Sequence, residues 1–224
     1  MVIAQDDSSF DKYEIRVILD KYMTKRNRVE LAGQLTAIMN QSFIYTIMPT
    51  VLMDYHLSEM FALELEGAYG LVLDKDDKRL LKSEYDIETQ ILQTQYILGG
   101  SLLWTPMYGK TQLTSGHVVY FDSFATFGLG MTGVKYDYTQ CSPEKNESLG
   151  SSAIVPAPTT KGYPTVILGV GQKFFLNRDL GLRWDVRTHL FQYNEADGSC
   201  TPEVQGASKL QNSITLQVGA SRFF

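Results

Sequence analysis

From Arg28 to the C-terminus, apolar side chains recur at every second position, segment after segment. Val29, Leu31, Gly33, Leu35 and Ala37 alternate with Arg28, Glu30, Gln34 and Thr36. A second run, over about 43–55, sets Phe43, Tyr45, Ile47, Val51, Met53 and Tyr55 on one face. A third, over 60–70, opposes Phe61, Leu63, Leu65 and Tyr69 to Glu64 and Glu66. In the fourth, over 93–105, Tyr96, Leu98, Leu102 and Trp104 oppose Gln93, Gln95, Gly99 and Ser101. The fifth (117–131), sixth (165–175), seventh (180–190) and eighth (210–224) repeat the rule, most cleanly where Leu180, Leu182, Trp184, Val186 and Leu190 alternate with Gly181, Arg183, Asp185, Arg187 and His189. A period of two marks a strand with two unlike faces. The pattern predicts eight strands of about ten residues or more.

The connections are uneven. Tight turns follow the second and sixth strands, at 57–59 and 176–179, whereas 71–92, 132–164 and 194–209 are long; 106–116 is intermediate and 40–42 is short. An even strand number, one wholly apolar face per strand and alternating short and long connections describe a membrane β-barrel. A soluble sandwich or lipocalin-type barrel would turn its apolar face inward and place only polar residues outside. Here Tyr45, Tyr55, Trp104, Phe174, Trp184 and Phe224 stand near the ends of the apolar face, where membrane barrels carry aromatic girdles. The predicted fold is therefore all-β, an eight-stranded antiparallel transmembrane β-barrel over 28–224. Residues 1–27 form an N-terminal arm on the periplasmic side, where Phe10, Tyr13 and Val17 fit either a short amphipathic helix or an extended segment.

Composition narrows the function classes. The chain has 224 residues, with 13 Tyr, 11 Phe and 18 Gly, a mix that favours strands. Its 20 basic and 25 acidic residues give a net charge of -5, which argues against a nucleic-acid partner. No apolar run approaches the ~18–20 residues of a membrane helix. No export signal is visible at the start, so an exported chain would have lost it. The last strand ends in phase on Phe224, the form of a C-terminal sorting signature addressed to the outer-membrane assembly machinery.

The polar faces converge on one interior. Arg28, Glu30, Asp54, Glu64, Glu66, Asp122, Lys173, Arg183, Asp185, Arg187 and His189 would all point into a lumen only just wide enough for its own side chains. Charges packed there must pair, which predicts a salt-bridged plug and no diffusion pore. No nucleophile–base pair, phosphate-binding loop or metal-ligand spacing appears around His56, His117 or His189, so neither an enzyme nor a cofactor is expected. Cys141 and Cys200 fall in two long loops on the same side, and the layout predicts a disulfide between them. On the outer face, Gly33, Ala37 and Ala220, with Gly100 and Ser123, are small or polar spots and candidate subunit or lipid contacts. Pro49 cannot serve a closed ladder fully and predicts a bulge or kink in the second strand, a further candidate point on the subunit or lipid surface.

Several stretches resemble the outer membrane β-barrel domain family of myxobacterial and predatory-type Gram-negative bacteria. They are Lys21-Tyr22-Met23-Thr24-Lys25 before Arg28-Val29-Glu30-Leu31, Tyr55-His56-Leu57-Ser58-Glu59, Trp104-Thr105-Pro106-Met107-Tyr108-Gly109-Lys110, and Phe121-Asp122 followed by Gly128-Leu129-Gly130. The likeness covers about 15–135 and the C-terminus; the 132–164 loop has no counterpart. The resemblance implies a porin-like, non-enzymatic outer-membrane protein. It is also similar to a wider group whose small barrels form homo-oligomeric rings that hold membrane lipid.

Overall fold

The computed structural model describes residues 23–76, 92–112, 118–136, 158–194 and 207–224. Among the described residues nine strand segments run in chain order: β1 (Val29–Ile38), β2 (Ile44–His56), β3 (Phe61–Tyr69), β4 (Leu71–Asp74), β5 (Gln93–Gln112), β6 (Val118–Tyr136), β7 (Thr159–Phe175), β8 (Leu180–Asn194) and β9 (Ser208–Phe223). The segments β3 and β4 are two halves of one strand, because both pair antiparallel with β2 on either side of Tyr69–Gly70. That leaves eight strands, each antiparallel to its neighbours. β1 pairs with both β2 and β9, so the sheet closes on itself.

The closing seam is regular from Glu30↔Phe223 to Ile38↔Thr215. Closure satisfies both backbone edges of every strand, which hydrocarbon demands of any sheet that crosses it. The tight turns at Leu57–Met60 and Leu176–Asp179 lie at the same end as the entry to β1 and the C-terminus: Asn27 N donates to His56 O (2.8 Å), Phe223 N to Asp179 O (2.8 Å) and Phe224 N to Val29 O (2.8 Å). This is the turn end; the opposite rim is the loop end.

Three local features depart from the simple alternation. The register of β1 with β2 runs unbroken through Leu35↔Pro49, so β2 carries no bulge. The irregularity expected at Pro49 falls instead on the partner strand: pairing lapses between Thr50↔Ala68 and Ile47↔Leu71, opposite a residue with no N–H to give. Second, an extra residue at Gln95 shifts β5 against β6, so Thr94 is buried and Gln93 and Gln95 are not, contrary to the simple alternation. Third, β5 does not end at Thr105. A bulge at Thr105–Pro106 opposite Phe124 bends the strand, which then runs on with β6 alone to Gln112↔Val118. The expected 106–116 connection is therefore mostly a two-stranded ribbon reaching past the rim.

Candidate functional site

The sheet is inverted relative to a soluble protein. Arg187, Asp185 and Glu30 are 0% exposed, whereas Leu129 is 70%, Leu210 68% and Val51 65% exposed. The even positions of β1, β2 and β3 and the odd positions of β7, β8 and β9 point inward; β6 joins them with Asp122, Phe124 and Thr126. This places every inward charge predicted on the strands from Glu30 to Arg187 in one space.

Four layers cross that space from the turn end to the loop end. Met23, Phe175 and Phe223 form the first, with His56 stacked on Phe223 at 5.6 Å. Above them Glu30 takes hydrogen bonds from Lys173 and His56, the latter at 2.9 Å, and Lys25 Nζ reaches Asp122 Oδ2 at 2.5 Å. Arg183 then joins Asp54 (2.9 Å), Glu64 (2.5 Å) and Asp185 (3.0 Å). Arg187 joins Glu64 (2.6 Å), Glu66 (2.9 Å) and Asp185 (2.9 Å). Gln217 donates to Glu66 at 2.9 Å, and His189 lies 3.9 Å from the same carboxylate. The third layer is apolar, with Ile38, Met48, Ala68 and Ile97, beside threonine pairs Thr36–Thr50 (2.7 Å) and Thr165–Thr132 (2.8 Å). The last layer, Val134, Tyr136, Tyr163 and Phe191, is tied by a Tyr136–Tyr163 hydroxyl hydrogen bond of 2.8 Å.

Arginine suits this core because its planar fork serves two or three carboxylates at once, and each buried carboxylate here has at least one charged partner. The forks need room, and glycine supplies it. A Cβ on Gly169 would come within 2.9 Å of Arg187 Cγ, and one on Gly171 within 2.5 Å of Asp185 Cβ and 2.6 Å of the Phe124 ring. The Arg183 guanidinium lies 4.6 Å from that ring's centre, a cation–π contact under the ion pairs.

Glu30, Asp54 and His56 place one ligand atom each within 4.8 Å of one another, the donor set of a cation site. The ammonium of Lys173 bonds to Glu30 and stands 3.6 Å from Asp54, so the chain's own cation takes that position.

Arg28 is not a lumen residue. It lies on the turn-end rim, with NH2 on Asp179 Oδ1 (2.9 Å) and NH1 on the Arg178 carbonyl (3.2 Å), because the turn that starts β1 puts it before the first enclosed rung. Lys25 takes the lumen place instead. The chain turns back at Asn27 (φ 60°), closed by Arg28 N to Lys25 O at 3.0 Å, while the amides of Lys25 and Arg26 both donate to Glu59. No alternation reaches Lys25 from β1, so the pattern could not place it. The inward aromatics Tyr136 and Tyr163 were missed for another reason: they lie where β6 and β7 run past the expected ends into sequence read as loop.

Gly33 and Ala220 are direct partners across the seam and face outward, as does Ala37, which pairs with Leu216. Gly100 and Ser123 also face outward, the latter accepting from Gln172 at 3.3 Å. Phe224 lies 60% exposed on the outer wall just past β9. Cys141, Cys200 and His117 lie outside the described residues.

The outer wall completes the assignment. On β8 the outward residues stay apolar from Leu180 to Val186 and again at Leu190, with Thr188 between them; at ~3.3 Å per residue and ~40° of tilt this spans roughly 25 Å, the height of the apolar band of membrane barrels. Tyr45, Tyr55, Trp104, Trp184 and Phe224 all stand outward on this wall. Closed edges, a lipid-compatible wall and a charged interior define an eight-stranded outer-membrane β-barrel, and they place the chain in the bacterial outer membrane.

No protein-family model and no curated protein sequence matches the chain. Among solved structures it is similar to the N-terminal β-barrel domain of Pseudomonas aeruginosa OprF, with 8% identity, 89% of this chain and 98% of that one covered, and a TM-score of 0.51. It is also similar to the outer membrane protein OprG from Pseudomonas aeruginosa, with 12% identity, 92% and 99% coverage and a TM-score of 0.49. At 8% identity the likeness to the OprF domain bears on the fold alone.

Proposed function

We propose that the protein is a structural, porin-like outer-membrane barrel that works through its outer surface: a homo-oligomeric ring of sealed barrels binding or enclosing membrane lipid, with the turn end in the periplasm. The observation that carries this reading is the sealed lumen. Four side-chain layers, one of them an ion-pair core at 0–5% exposure, leave no role for the interior beyond holding the wall in shape. What remains is the wall and the loop end. The small residues Gly33 and Ala220 at the seam let a second wall approach closely, the usual basis of contact in lipid. Phe224 serves recognition by the assembly machinery.

The test is native mass spectrometry of protein extracted gently from membranes. The expected result is a multiple of the 25.2 kDa chain carrying phospholipid mass. Gly33→Trp and Ala220→Trp, which add bulk to an exposed wall, should reduce it to monomer while the barrel stays folded. A bare monomer at every concentration would overturn the ring. It would favour a monomeric anchor or adhesin, a reading supported by the lengths of chain joining β4 to β5, β6 to β7 and β8 to β9, all at the loop end.

A further inference from the structure

At the turn end, just below the apolar wall, a pocket of about 510 Å³ is lined by Asn177, Arg178, Asp179, Leu180 and Arg222. We propose that it binds the phosphate of a glycerophospholipid in the leaflet that meets the turns. The inference rests on the membrane placement and not on the ring.

The charges on the pocket are not balanced internally. Asp179 is the only acid among the described residues that line it, and that carboxylate is held by Arg28 at 2.9 Å. Arg178 and Arg222 have no carboxylate partner among the described residues; Arg222 rests its guanidinium 5.2 Å from the Phe224 ring centre. Asn177 is committed as an acceptor. Its Oδ1 takes the amides of Asp179 (2.9 Å) and Leu180 (2.8 Å), and no described residue takes its Nδ2 donor. Two guanidiniums and one amide donor thus line a single opening, a set that matches an oxyanion with several acceptor oxygens.

Height selects the source of that anion. Arg222 pairs across the sheet with Leu180 and with Leu31, 43% and 44% exposed on the wall, and Phe224 is 60% exposed beside it. A phosphate seated on Arg178 and Arg222 would carry its acyl chains directly onto those side chains. Free phosphate satisfies the arginines but wastes the apolar ledge; a lipid headgroup uses both.

The experiment titrates the detergent-solubilised protein, in whatever oligomeric state it holds, with phosphatidylglycerol, with diacylglycerol and with inorganic phosphate, and counts adducts per chain by native mass spectrometry. Phosphatidylglycerol should bind at one site per chain, diacylglycerol should not, and millimolar phosphate should fail to displace the lipid. Arg178→Gln with Arg222→Gln should weaken the lipid adduct at least about tenfold, two charge-assisted contacts being removed. Heat-dependent mobility in gels verifies that the variant is folded, and Arg222→Gln alone serves if the double variant is not. Unchanged lipid binding in the variant overturns the site. Displacement by phosphate overturns the lipid as its occupant. Because the readout is lipid per chain, a protein found to be monomeric still tests it.

Discussion

Arg187 touches three carboxylates, Glu64, Glu66 and Asp185, inside a wall where none of them meets water. Removing it leaves Glu66 with no arginine and puts Glu64 and Asp185 on Arg183 alone, and breaking a buried pair costs about 3–5 kcal/mol. Arg187→Ala should therefore lower the urea stability of the refolded barrel by at least that range; a loss under about 1 kcal/mol would mean that the network carries little. Gly171→Ala tests the room the fork needs. Its Cβ would lie 2.5 Å from both Asp185 Cβ and the Trp184 carbonyl, so the same unfolding assay should show a loss of about 1–3 kcal/mol from overpacking. At this scale the sequence was largely legible. Alternation alone sent Glu30, Asp54, Glu64, Glu66, Asp122, Lys173, Arg183, Asp185, Arg187 and His189 inward, because each sits on a strand whose other face is unambiguously apolar. Which carboxylate meets which arginine was not legible, since β8 faces β3 across the lumen and no sequence spacing encodes that distance.

Among the elements, the segment entering β1 behaves least like its sequence. It reads as a tail, yet Met23 and Lys25 are buried in the turn-end mouth, and Lys25 Nζ lies 2.5 Å from Asp122. A double-mutant cycle separates plug from tail. Lys25→Ala should cost about 3 kcal/mol in urea unfolding, whereas Lys25→Met combined with Asp122→Leu should cost less than either single change, because it leaves no orphaned charge. Strand ends were the least legible elements. β5, β6 and β7 all outrun the alternation that announced them. The end of β5 meets water on both faces, and the extensions of β6 and β7 bury Val134, Tyr136 and Tyr163 inward while Lys135 and Gly162 replace large apolar residues on the other face. The lapse opposite Pro49 follows the same logic: the residue that cannot donate is visible in sequence, but the strand that absorbs the defect is set by the register.

For the whole molecule, the layers predict an absence of flux. Wild-type protein in planar bilayers should show no conductance steps above background, and steady open steps would refute the sealed lumen. A buried network is also beyond the reach of screening, so unfolding midpoints at ~0.1 M and ~1 M sodium chloride should differ far less than a surface-paired barrel would allow. The outer-membrane fold was readable because strand number, loop alternation and apolar wall agree.

The seam between β1 and β9 has a consequence in time. It joins residue 30 to residue 223, so the first strand made has no neighbour on that side until the last strand has been synthesised. Throughout that interval a row of unmet amides and carbonyls on β1, and later the whole apolar wall, is open to any passing chain. A polypeptide built this way cannot wait alone in water; it needs an escort from its first strand until its last rung is closed.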